Sequence, residues 1–160
     1  MYQNQSPAVK AVLAAAAFAA FNAPAEPISA RLLDAVSWVE SNHRHGAVGD
    51  AGAARSAWQL HRAAWADASA YLRRHGHASA DYDAGVNDPA TARTHAAAYL
   101  GLINGQLKKR LGREPNAGEL YAAYNLGVGG FAKRGFDINR TPSITQRGVA
   151  KLRARMEVGK

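Results

Sequence analysis

Cysteine is absent from the 160 residues. Disulfides and thiolate-held metals are therefore excluded, and the redox compartment is left open. Acidic residues are few: 12 Asp and Glu stand against 20 Lys and Arg, a formal charge of +8. Such a surplus favours polyanions, and nucleic acid, anionic lipid and acidic cell-wall polymer all fit it. No segment alternates apolar and polar residues long enough to be read as a strand, and no repeat is present. Long apolar runs are also lacking. Ala11 to Phe21 (AVLAAAAFAAF) is an apolar run of eleven residues, too short to span a bilayer comfortably.

What is there is ordinary for one globular domain: 48% hydrophobic and 20% charged residues in a chain long enough for a single core. The N-terminal run follows Lys10 and precedes Ala23-Pro24-Ala25, the small-x-small pattern of a signal-peptidase site. Residues 1–25 are accordingly expected to be a signal peptide and 26–160 the domain. Cleavage would leave 135 residues (160 − 25) with a charge of +7, since only Lys10 is lost. The competing reading is an Ala-rich helix retained and packed on the core.

From Pro27 onward the pattern is helix upon helix. Ser29 is a plausible N-cap for a helix from Ile28 to Glu40, with Leu32, Leu33, Val36 and Val39 on one stripe. Asn42 to Gly52 is polar and Gly-rich, a loop or small hairpin. A second helical stretch is expected from Trp58 to His75, stopped by Gly76, and then a loop from His77 to Val86. Asp88-Pro89 opens the longest helix, to about Leu111, with Ala92, Ala96, Tyr99, Ile103 and Leu107 on one face. Asn116 and Glu119 have capping-box spacing for a short helix to Tyr124. Gly127, Gly129 and Gly130 then break the chain, and Thr141-Pro142 starts a basic helix with Ile144, Val149, Leu152 and Met156 apolar. The fold class is mostly α, with at most a small hairpin near Asp50.

Glu40 stands out. At about 100° per residue it projects between Leu33 and Val36, inside the apolar stripe and in the last helical turn. Apolar surroundings and the negative end of the helix dipole both raise a carboxyl pKa. A Glu kept protonated near neutral pH is what a general acid requires. The alternative is a terminal Glu that swings out to solvent.

The sequence after Glu40 runs ESNHRHGAVGDAGAARSAWQLHRAAW, and a later block runs ELYAAYNLGVGGF from Glu119 to Phe131. The Glu-Ser pair, the Gly-Asp-x-Gly turn, Gln59-Leu60 before Trp65, and Ala-Tyr-Asn-x-Gly resemble, in order, the soluble lytic transglycosylase domain of the lysozyme-like superfamily. That resemblance implies an enzyme cleaving the MurNAc–GlcNAc β-1,4 bond of peptidoglycan glycan strands. One Glu, here Glu40, would protonate the leaving oxygen and then take the proton of the sugar's own 6-hydroxyl, giving a 1,6-anhydro product. It needs no cofactor or metal. It implies a periplasmic or secreted monomer, of a kind that can open the wall for a secretion, conjugation or phage machine. The stretch before Gln59 departs from the family pattern, with Ser56-Ala57-Trp58 where Gly and apolar residues are usual. Gly49-Asp50 stands where many members have Ser.

Around Glu40 the expected substrate-binding residues are Ser41, Asp50, Gln59, Tyr124 and Asn125. Ser41 can bond Glu40 or the sugar, or help close its helix. Gln59 offers a donor and an acceptor to an N-acetyl or hydroxyl group. Tyr124 is the motif tyrosine, which in the family orients the Glu, whereas Tyr121 reads as a core aromatic. Asp50 either brackets its own turn, as Asp does routinely, or serves as the second carboxylate of an inverting hydrolase. Trp58 and Trp65 are candidates for sugar stacking or for the core. His43-x-His45 and His75-x-His77 are poorly spaced for a metal and read as surface histidines. The basic patches at Lys108–Arg110 and Lys151–Arg155 lie in no recognised nucleic-acid module. Hydrolysis by the same fold, or a non-catalytic glycan- or nucleic-acid-binding module, are the alternatives.

Overall fold

The computed structural model describes residues 28–158; the expected leader lies outside the described residues. Among the described residues six α-helices and one small hairpin follow in order. Helix α1 (Ala30–Ser41) starts where the Ser29 hydroxyl accepts from Leu32 N and ends at Asn42, which takes a left-handed conformation. Leu32, Leu33 and Val36 are buried, and Val39 packs against them from the rim. The hairpin pairs β1 (Val48–Gly49) antiparallel with β2 (Ala54–Arg55), in register Val48↔Arg55, around a 3-10 turn at Asp50–Gly52. Helices α2 (Arg62–Arg74), α3 (Tyr82–Gly85) and α4 (Pro89–Leu111) follow, then α5 (Ala117–Ala132) and α6 (Ser143–Glu157).

α4 is the central element. It packs against α2 on one side and α5 on the other; α5 in turn packs on α6, and α6 on α1. Its buried residues, among them Ala92, Ala96, Leu100, Ile103 and Leu107, are not confined to one narrow stripe, as befits a helix covered on several sides. Asp88 accepts from Thr91 N with Pro89 in the first turn, and Gly112 ends the helix with φ 69°. The capping box at α5 is complete: Asn116 and Glu119 bond each other's backbone N–H, and Arg113 makes two bonds to the Glu119 carboxylate. Among the described residues no helix is long and apolar enough to cross a membrane.

Three expectations from the sequence need correction. The second helix begins at Arg62, not Trp58, because Arg55 and Leu60 bond each other's backbone and close a turn over residues 56–59. Ser56 and Gln59 hold positive φ in that turn, which no helix permits. The loop before Asp88 contains a helical turn, capped by Asp81. α5 continues beyond Tyr124 to Ala132, and of the three glycines only Gly127 (φ 71°, ψ 152°) interrupts it. Ile144, read as one of the apolar positions of the last helix, is 64% exposed.

Candidate active site

Glu40 occupies the last full turn of α1, and its carboxyl is met from across the fold by α5. The Tyr121 hydroxyl donates to Glu40 Oε1 at 2.8 Å. The Glu40 carboxyl holds its proton to higher pH than an ordinary Glu. Burial is the main cause, Asp50 adds to it, and the Tyr121 bond and His61 work in the opposite direction. Tyr121 and Tyr124 are themselves pushed well above the usual tyrosine range, first by burial and then by the nearby Glu40.

The second tyrosine of α5 has a different task. Tyr124 donates its hydroxyl to the Trp58 carbonyl at 2.5 Å, and its ring meets Tyr99 edge-on. Tyr121 and Tyr124, three residues apart on one helix, thus hold the end of α1 and the 56–59 turn respectively. The tyrosine bound to Glu40 is the one read from sequence as a core aromatic. The motif tyrosine supports the neighbouring turn.

Ser41 is buried, donates to the Ala57 carbonyl at 2.9 Å, and accepts from Arg44 N. Its hydroxyl is turned into the protein, so it closes the helix and ties α1 to the 56–59 turn instead of facing a glycan. Gln59 folds back along that turn, with Nε2 donating to the Ser56 carbonyl at 2.9 Å. Its Oε1 occupies the space a Cβ would need at Gly49. The hairpin and the Gln59 side chain fit together because residue 49 has no side chain. Asn125 is exposed, and its Oδ1 accepts from the Thr145 hydroxyl at 2.7 Å, joining α5 to the start of α6.

Asp50 sits at the exposed hairpin tip. Its carboxylate does not bond its own turn; Oδ2 accepts from His61 Nε2 at 2.9 Å, just ahead of α2. No sequence signal singled out His61, which lies eleven residues away across a turn of unforeseen shape. Neither tryptophan is placed for stacking on a sugar. Trp58 and Trp65 are 3% and 2% exposed, and their indole N–H groups bond Leu33 O and Ala80 O. His43 lies 2.7 Å from the Ser37 hydroxyl, and His75 bonds the Tyr71 carbonyl. Among the described residues no three His, Cys, Asp or Glu side chains converge to hold a metal.

Backbone strain is concentrated here. Seven described non-glycine residues have positive φ, and six of them (Asn42, His43, Asp50, Ala51, Ser56 and Gln59) fall between the end of α1 and Leu60. Such residues cost on the order of 1–3 kcal/mol each, persist only where the surrounding structure over-determines them, and cluster at functional sites. A half-buried carboxyl, a tyrosine donor and a strained hairpin meet in one place.

A family model described as Transglycosylase SLT domain matches residues 18–142. The match begins inside the N-terminal apolar run and ends after both motif blocks. No curated protein and no solved structure matches the chain. The family match covers well over half of the sequence, and the fold it implies is the mostly helical one observed. The chain belongs to the SLT transglycosylase family of the lysozyme-like superfamily, and is an enzyme of the peptidoglycan lytic transglycosylase type.

Proposed function

We propose that the protein cleaves the MurNAc–GlcNAc β-1,4 bond of peptidoglycan with Glu40 as its single acid and base. The observation that carries this reading is the half-buried Glu40 carboxyl, raised in proton affinity and aimed by Tyr121. Glu40 protonates the glycosidic oxygen as the C1–O bond of MurNAc breaks and positive charge develops at C1. The ionised Glu40 then takes the proton of the MurNAc 6-hydroxyl, whose oxygen bonds C1 and closes the 1,6-anhydro ring. The proton returns to Glu40, and no water enters the products.

The second reading, hydrolysis, would require Asp50 to activate a water through Oδ1, since Oδ2 accepts from His61. Mass spectrometry of muropeptides released by the purified protein tests the proposal. The expected fragments are lighter by one water than the reducing sugar. Intact reducing ends would assign hydrolysis, and absence of cleavage would assign a glycan-binding module.

The substrate lies outside the cytoplasm, which accords with export through residues 1–25 and action as a periplasmic or secreted monomer. Sequencing the N-terminus of the protein from its native host tests export: a chain beginning at Glu26 is expected, and intact Met1 on cytoplasmic protein refutes it. A secretion, conjugation or phage machine fits as a partner of such a small wall-opening enzyme.

A further inference from the structure

Two features of the hairpin belong together. Its strands are only two residues each, and its tip is strained, with Asp50 at φ 48° and Ala51 at φ 53°. A hairpin this short does not hold itself. It is braced at its base by Ser56 N bonding Ala47 O, where the tip turn closes by the Tyr82 hydroxyl donating to Ala53 O at 3.5 Å, and at Asp50 itself by the bond from His61.

We propose that His61 is a positioning residue of the active site: it holds the hairpin tip beside Glu40 through Asp50 and offsets the negative charge Asp50 places there. The inference rests on Glu40 being the acid. Three contacts bring this segment to Glu40. Ser41, the residue after Glu40, bonds Ala57; Tyr124 bonds Trp58; and Leu60, directly before His61, is paired with Arg55 of the hairpin. The charges of Asp50 and His61 are both felt at Glu40, in opposite senses.

The other groups around the site leave this task to His61. Tyr121 and Tyr124 approach from α5 as neutral phenols. Arg62 and Arg55 are directed to Asp83, and Arg55 also to Asn87. His43 is engaged by Ser37. Asp50 without a counter-charge would make Glu40 hold its proton more tightly. A residue that must give and take a proton in one turnover works best when its pKa lies near the operating pH.

The test is titration of the Glu40 carboxyl carbon by NMR in glutamate-labelled protein, its signal assigned by its loss in Glu40→Gln, alongside lysis rates against pH. In His61→Ala the Glu40 titration is expected to move to higher pH, and the alkaline limb of activity to follow it. Lysis should fall several-fold, mainly in kcat. His61→Gln keeps an amide donor for Asp50 without the charge. It should restore most of kcat yet retain the raised Glu40 titration. Asp50→Asn should move the titration the other way. Folded variants in which Glu40 titrates as in the wild type would overturn the role of His61. An active Glu40→Gln enzyme would instead overturn the acid assignment, and the titration would still report whether His61 and Asp50 couple to Glu40.

Discussion

The Tyr121 hydroxyl and the Glu40 carboxyl are 2.8 Å apart in space and 81 residues apart in sequence. Among the described residues it is the one side-chain hydrogen bond to Glu40, and it has a definite electrostatic sense: it favours the ionised carboxylate against the burial that favours the acid. Tyr121→Phe is therefore expected to raise the Glu40 pKa further. Activity that needs protonated Glu40 is lost as pH rises through that pKa, so the alkaline limb should move to higher pH. The rate at the optimum should fall by roughly tenfold, a barrier change near 1.4 kcal/mol, because the carboxyl is no longer aimed. Lysis rates across pH check both effects, and an unmoved limb would refute the coupling.

Glu40→Gln separates catalysis from stability. Gln cannot donate the proton, so a loss of roughly 10²-fold or more in lysis is expected. The amide can still accept from Tyr121. Glu40 has a folded-state pKa raised above its ordinary 4.5, so the native state binds the proton more tightly than the unfolded chain. Its contribution is then most favourable below pH 4.5 and is lost as pH rises through the folded pKa. The Gln variant escapes that loss. It should melt higher than the wild type at pH 7, and the difference should vanish near pH 4. Calorimetry at the two pH values decides it.

How much of this site was legible follows from the kind of signal each residue gives. Glu40 was visible because a carboxylate interrupting an apolar helical stripe is a local anomaly, readable at about 100° per residue. Ser29, Asp88 and the Asn116–Glu119 box were visible because caps depend on residues a few positions apart, and each is found in place. The sequence points to Tyr124 as the partner of Glu40 and to Tyr121 as a core aromatic, whereas Tyr121 makes the bond to Glu40 and Tyr124 bonds Trp58. They differ by about one helical turn, and which one reaches Glu40 depends on how α5 lies against α1. The 56–59 turn was hidden for another reason. Its positive φ values fall on Ser56 and Gln59, residues that do not advertise that conformation. Once the turn was misread as helix, the meeting of Asp50 and His61 could not be inferred.

His95 offers an expectation about acid stability away from the site. It is buried, stacks on Trp65 at 3.7 Å, and uses Nδ1 to bond the Thr91 carbonyl, while Nε2 has no hydrogen-bond partner. Burial lowers its pKa below the ordinary 6.5. The unfolded chain therefore takes up the proton first, and stability falls as pH drops through 6.5 toward the folded-state value. His95→Phe keeps a ring against Trp65 and removes the titrating group. Its melting temperature should fall less than that of the wild type between pH 7 and pH 5. Equal losses in the two proteins would show that other groups govern the acid limb.

Gly148 gives the most remote expectation. It lies on α6, and a Cβ at this position would stand 2.5 Å from Tyr121 Cε1 and 2.6 Å from its hydroxyl oxygen. Tyr121 is only 4% exposed, so its ring has little room to yield. Gly148→Ala must move the ring, the helix, or both, at a cost of about 1–3 kcal/mol for overpacking. Displacing the hydroxyl should also break its bond to Glu40 and lower lysis on the scale of Tyr121→Phe, although residue 148 itself carries no reactive group. Combining the two substitutions distinguishes this route from general damage. If Gly148→Ala acts through the Tyr121 hydroxyl, adding it to Tyr121→Phe should cost little further in kcat, a strong departure from additivity. Fully additive losses in folded proteins would mean that α6 affects the site by a path other than the Tyr121–Glu40 bond.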